Sequence, residues 1–296
     1  MTVFLQQLIN GISLGSVYAL FALSFTLIFG VLEIINLAQA AVLAVGALLA
    51  YTLLSWAGTP LPLAMLGAFI GTGLLGVAIY AAAFRPLRAR NAGPLAALIV
   101  SIGVTLILVN LAQILWGSEP LGYPPGMVPL RFFTDAGLTV SLLQVAILAT
   151  TVGLLVGLRL LLLHTKIGLA IRVVAENPGT ASLLGIPFDR VVMFTFFLSS
   201  ALGGIAGVLV GMLFQGSVSP FMGNAIGLKG LAAIILGGMG SVPGAMLGGL
   251  AMGIGETMIV QYLSSSYRDA VAFGLLFLVL VIRPTGLFGR PQDRQA

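Results

Sequence analysis

Residues 34 to 84 read IINLAQAAVLAVGALLAYTLLSWAGTPLPLAMLGAFIGTGLLGVAIYAAAF, without one Asp, Glu, Lys or Arg. A helix needs roughly 20 apolar residues to cross a hydrocarbon core about 30 Å thick, so this stretch holds two crossings parted by Gly/Pro punctuation. Working outward, residues 91–118, 136–158, 191–228 and 230–255 are equally free of charge. Only 7% of the 296 residues are charged and the mean hydropathy is +1.15, whereas a water-covered domain carries about 25% charge. The chain is an integral membrane protein. The sequence predicts an all-α, polytopic membrane helix bundle, a single transmembrane domain over 1–296 with about seven or eight full spans.

Clear spans are expected near residues 4–30, 36–56, 61–83, 94–116, 139–162, 191–214 and 265–283. Ten of the thirteen Lys and Arg then fall in three segments: Arg85, Arg88 and Arg90; Arg159, Lys166, Arg172 and Arg190; and Arg283, Arg290 and Arg294. The positive-inside rule puts all three in the cytoplasm. The loop from Gly117 to Leu138, with Glu119, Pro120, Pro124, Pro125, Pro129 and Asp135, falls outside, as does the N-terminus. An even number of crossings must separate residue 190 from residue 284, so residues 225–262 enter and leave from the outer side. Their run is interrupted at Gly237-Gly238-Met239-Gly240-Ser241-Val242-Pro243-Gly244. Two half-helices meeting at a Gly-rich break inside the membrane are expected there, a device that lines transport paths. A loosely packed Gly-rich segment is the alternative.

Composition excludes much else. With no Cys and one His, neither thiolate nor His-cluster metal sites can form, and no metal ligand set or catalytic constellation is expected. The net charge of +5 sits at the ends of apolar runs, where it orients helices and does not signal nucleic acid. No Gly-Lys dipeptide occurs, so the phosphate-cradling loop of an ATPase is absent. Met1 to Asn10 lack a positive segment before the first apolar run, which is expected to stay as a span. Small residues four apart, at Gly11/Gly15, Gly67/Gly71, Gly153/Gly157, Gly203/Gly207/Gly211 and Gly244/Gly248, suit closely packed helices.

The loop over about 164–190 carries a second kind of signal. Asn177 suits an N-cap, Pro178 the first helical turn, Gly185 the position after the last turn, and Pro187 forbids continuation, so residues 178–184 read as a two-turn helix. Such a helix is marginal alone in water, and Leu183, Leu184 and Ile186 are apolar. It either docks on another subunit, the reading adopted, or folds back on the bundle. Within IRVVAENPGTASLLGI (171–186), the pattern of Asn177, Pro178, Ala181, Gly185 and Ile186, followed by an apolar span with Phe196, Ser199, Gly204, Ala206 and Gly207, resembles the inner-membrane permease of branched-chain amino-acid ABC importers. NGISLGSVYALFALSFTLIFGVLEIINLAQ (10–39) and LKGLAAIILGGMGSVPGAMLGGLAMGIGE (228–256) are similar to that family's opening and late Gly-rich blocks. The resemblance implies a multi-pass permease of the cell inner membrane with four kinds of company: the lipid bilayer, a second homologous permease subunit, two cytoplasmic ATP-binding subunits and an extracytoplasmic substrate-binding protein. It implies ATP used only through partner subunits, no cofactor on this chain, and a coupling helix at Asn177, Pro178, Ala181, Leu183, Leu184, Gly185 and Ile186. The cargo it implies is a branched-chain amino acid; other small amino acids, urea or short amides are the neighbouring alternatives, and an ion-coupled carrier the rival class.

Candidates for a translocation path are the polar interruptions of apolar sequence: Glu33, Asn36 and Gln39 at spacings of three, Lys229 and Glu256 on the two arms of the Gly-rich region, and Gly238, Gly240 and Ser241 at its break. Lys229 and Glu256 are placed to pair. Glu33 reads equally as an intramembrane site or as an interfacial residue, and His164 as interfacial.

Overall fold

The computed structural model describes residues 2–90, 92–124, 126, 132–135, 138–214, 218–283 and 286–288. Pro125, Pro129, Arg290 and Arg294 of the sequence argument lie outside them. The helices are α1 (Thr2–Leu32), α2 (Ala38–Ser55), α3 (Leu61–Ile79), which runs through a π turn (Tyr80–Phe84) into α4 (Arg85–Ala89), and α5 (Pro94–Trp116). A two-stranded antiparallel ribbon, β1 (Phe132–Asp135) with β2 (Leu138–Ser141), pairs Phe132 with Ser141 and Phe133 with Val140. Then follow α6 (Leu142–His164), α7 (Lys166–Glu176), α8 (Pro178–Leu183), α9 (Phe188–Leu213), α10 (Met222–Gly237), α11 (Val242–Tyr262), a 3₁₀ turn (Ser265–Tyr267) and α12 (Arg268–Ile282). Among the described residues seven helical stretches are long and apolar enough to cross a membrane, and α10 is a shorter apolar helix. The polytopic helical bundle is the fold the sequence implies.

Helix α1 is apolar all round, and a helix of that kind belongs in an interior. It is buried from Gly11 through Ile28 apart from Ile12, packed among α9, α10 and α11. Contact there is backbone to backbone: a Cβ on Gly15 would stand 2.8 Å from Leu250 Cα in α11, and one on Gly207 of α9 would strike the Leu43 carbonyl of α2. Without a hydrophobic force between helices in lipid, this close approach supplies the attraction. The Gly153/Gly157 pair of α6 is the exception, with nothing within 4 Å of either. Helices α5 and α6 carry most of their apolar surface outward, Ile114 and Leu160 among it.

The boundaries differ from expectation where polar side chains act on them. Residues 33–37 are not helical: Glu33 takes a left-handed φ of 55° and ends α1, and the Asn36 side chain accepts from the Ala38 amide at the start of α2. Helix α6 starts at Leu142 because Ser141 and Gln144 form a reciprocal capping box. The last helix begins at Arg268 after the 3₁₀ turn and is only 15 residues long. The Gly-rich pair is asymmetric. Helix α10 has 16 residues, about 24 Å, but α11 has 21, enough to cross. Gly238 and Gly240, at φ of 104° and 82°, make the turn between them. That turn sits at the end of the bundle, beside Phe29 near the close of α1, and Leu236 and Gly237 carbonyls accept from the amides of Leu287 and Phe288, both at 2.9 Å.

Candidate functional site

Three places gather polar chemistry, and the predicted path residues are divided among them. At one end of the bundle the loop helix α8 forms with both termini closed. The Asn177 side chain accepts from Thr180 N at 2.9 Å, and Pro178 occupies the first turn. At the other terminus Gly185, φ 73°, donates to Ser182 O while Ile186 donates to Ala181 O, a complete Schellman motif. Ala181 is buried and Ile186 half-buried against the bundle, whereas Leu183 and Leu184 are 89% and 67% exposed. One side of the helix therefore rests on the bundle, and two leucines are offered outward.

Beside it lies a clamp the sequence reading missed. Asp189, in the first turn of α9, accepts a hydrogen bond from the Tyr80 hydroxyl at 2.9 Å and stands 3.4 and 3.5 Å from Arg85 and Arg88. The Arg88 guanidinium lies 3.2 Å over the Phe188 ring. This ties the α3–α4 end to the segment that leads out of α8. Half-exposed ion pairs of this kind contribute little stability each, so their role is orientation. The signal available was charge complementarity between Arg85/Arg88 and a lone Asp189 across two segments assigned to one side.

In the core, Asn36 and Gln39 are buried, and Gln39 Nε2 donates to Ser199 O at 3.0 Å while its Oε1 has no hydrogen-bond partner among the described residues. Glu33 is exposed and separated from them, because the break at 33–37 destroys the helical spacing on which the three were grouped. Gly238 is buried, Gly240 exposed, and Ser241 caps α11 through the Gly244 amide. His164 is exposed at the last turn of α6.

Toward the other end, Lys229 of α10 and Glu256 of α11 pair at 2.9 Å, nearly sealed from solvent. The pair is the centre of a larger cluster. Asp269 Oδ1 lies 3.0 Å from Lys229 Nζ, Arg268 Nε lies 3.2 Å from Glu256 Oε1, and the Tyr18 hydroxyl donates to Glu256 Oε2 at 2.9 Å. Three of these five residues were missed. Arg268-Asp269, two opposite charges at the head of an apolar run on the same side as Lys229 and Glu256, was the readable clue. A cavity of about 320 Å³ opens onto the cluster.

A bundle of apolar helices joined through glycine contacts, carrying a buried charge cluster at one end and a capped, leucine-tipped helix at the other, defines a polytopic membrane protein. Residues 7–280 match the family described as the permease component of the branched-chain amino acid transport system, and the chain belongs to that family. It is 39% identical to the high-affinity branched-chain amino acid transport system permease protein BraD of Pseudomonas aeruginosa, over 98% of this chain and 97% of the relative. It is 37% identical to the corresponding LivH protein of Escherichia coli, over 98% and 96%, and 32% identical to a probable LivH of Methanocaldococcus jannaschii, over 93% and 89%. No solved structure matches. Family and spans together make the chain a multi-pass protein of the inner membrane, and its relatives are named as transport components, not enzymes.

Proposed function

We propose that the chain is the membrane-spanning permease subunit of an ATP-driven importer, a single permease domain that carries branched-chain amino acids. It works with a second homologous permease subunit, two cytoplasmic ATP-binding subunits and an extracytoplasmic binding protein; ATP is hydrolysed on the partners. The observation that carries this reading is α8. A six-residue helix capped at both ends, seated by Ala181 and Ile186 and tipped by Leu183 and Leu184, is a rigid apolar knob on a polar loop. Exposed apolar side chains on a rigid base mark a protein contact, and an ATPase groove is the partner this reading gives it. The relatives' names support the cargo.

The test is uptake. Vesicles holding this chain, its partner permease and the ATPases should accumulate labelled leucine only when ATP and the binding protein are both present. Uptake driven by an ion gradient alone would overturn the reading in favour of a secondary carrier, and a preference for urea over leucine would move the cargo to the amides.

A further inference from the structure

The charge cluster at Lys229 is more than a tie between helices. A buried ion pair is weak ground for stability, since apolar residues of equal volume often do as well, yet here two cations and two carboxylates converge: Lys229, Arg268, Glu256 and Asp269. Their charges sum to zero. Exposure rises steeply across them, from 1% at the Glu256 side chain and 9% at Lys229 to 39% at Arg268 and 69% at Asp269. The cluster therefore runs from a dry interior to an open edge. Arg268 Nε is buried and within ion-pair reach of Glu256, but it makes no hydrogen bond among the described residues.

The cavity on this edge has about 320 Å³, at the low end of small-ligand pockets, which run from roughly 300 to 1,000 Å³. Tyr18, Lys229, Glu256 and Arg268 form its polar side, and Val210, Phe214, Met222 and Ile226 its apolar side. An anion alone would meet the Glu256 carboxylate there, and a cation alone would meet Lys229 and Arg268. A molecule bearing both charges can take one partner of each sign, carboxylate to Arg268 and ammonium to Glu256, so that no desolvated charge is left unpaired. Its remaining side chain then faces the apolar wall.

We infer that the cavity between α9, α10, α11 and α12 is a transit site for a small zwitterion with an aliphatic side chain, held by Arg268 at its carboxylate and by Glu256 at its ammonium. The inference rests on the importer reading and gives its cargo a station within this chain.

Protection from alkylation tests it, because the chain has no Cys. Ala225→Cys puts a thiol on the exposed part of the cavity wall, in the assembled complex in nanodiscs. At tens of millimolar leucine, well above the roughly millimolar dissociation constant of a weak site, modification by a small methanethiosulfonate should slow at least about twofold. Isovalerate, lacking the ammonium, and isoamylamine, lacking the carboxylate, should leave the rate unchanged. Arg268→Gln should abolish protection by leucine and Arg268→Lys should retain part of it. Equal rates with and without leucine, both here and in a Ser219→Cys chain, would overturn the site, and equal protection by the singly charged analogues would overturn its zwitterion chemistry. ATP-dependent leucine uptake by the same complexes keeps the two readings apart: uptake without protection removes the site alone, and loss of uptake in the unsubstituted complex removes the importer reading.

Discussion

Exchanging the charges of Lys229 and Glu256 is the usual test of a pair, and the structure predicts that it will largely fail. Each single reversal leaves a buried charge facing its like, at or above the 3–5 kcal/mol that losing one partner costs, roughly. For an isolated pair the double exchange would recover most of this. Here Lys229→Glu sets a carboxylate where Nζ now lies 3.0 Å from Asp269, and Glu256→Lys sets an ammonium where Oε1 now lies 3.2 Å from Arg268. Two like charges at 3 Å repel by about 5 kcal/mol at an effective dielectric of 20. With Asp269 69% and Arg268 39% exposed, that figure shrinks to about 1 kcal/mol at Asp269 and somewhat more at Arg268. Each contact also loses an attraction of the same size, so the residual cost is about twice these figures and the exchange should recover less than half of the loss. Lys229→Met with Glu256→Gln instead removes both dry charges and leaves Arg268 and Asp269 to solvent and to each other. It should lie within about 2 kcal/mol of the parent and above either of its own singles, a coupling of the size neighbours show. The assay is the apparent thermal midpoint of the detergent-solubilised chain, followed by fluorescence-detected size exclusion. A full return to the parental midpoint on exchange, or strict additivity in the neutral double, would refute the five-residue cluster.

Leu184→Asp should leave the chain inserted and folded, since the side chain is 67% exposed, but should abolish substrate-stimulated ATP hydrolysis by the complex, because a carboxylate would be desolvated against an apolar groove; normal stimulation would mean α8 docks on nothing. Gly185→Val, at φ 73°, should strain the loop by about 1–3 kcal/mol and reduce that stimulation without lowering membrane insertion, read by cell fractionation. Gly207→Ala should cost about 1–3 kcal/mol by pushing α9 off the Leu43 carbonyl, whereas Gly153→Ala, with open space around it, should leave the thermal midpoint unchanged. Impermeant thiol reagents should reach Thr180→Cys from the cytoplasm alone and Ser266→Cys from outside alone, and labelling of position 180 from outside would end the proposed topology.

The apolar runs told most of the fold because membrane spans are written in length and hydropathy, which need no neighbour to be read. The caps of α8 were equally legible, since Asn177, Pro178 and Gly185 act on their own backbone. What stayed hidden depends on contacts distant in sequence. The grouping of Glu33 with Asn36 and Gln39 assumed a helix that the left-handed Glu33 interrupts. Lys229 and Glu256 could be matched by parity and depth, but Tyr18 has no sequence mark that distinguishes it from any other tyrosine in an apolar run; only the docking of α1 on α11 brings its hydroxyl to Glu256. The clamp at Asp189 also depends on contacts distant in sequence, though there the opposite charges of Arg85, Arg88 and Asp189 were a readable mark.

Helix α1 meets its neighbours late. Gly15 packs on Leu250, and at synthesis rates of about 5–20 residues per second the roughly 230 residues between them take on the order of ten to fifty seconds to appear. For that interval a helix destined for a dry protein interior stands in lipid with its polar groups bare. Its buried serine and threonine hydroxyls are already cared for: Ser13 donates to Ile9 O, Ser16 to Ile12 O, Ser24 to Phe21 O and Thr26 to Ala22 O, all within α1, while the Tyr18 hydroxyl waits for Glu256 of α11. Membrane segments must satisfy their polar groups internally, and these four hydroxyls of α1 do so before any partner arrives. The first helix made can thus wait, as a self-contained rod, for the last ones to close around it.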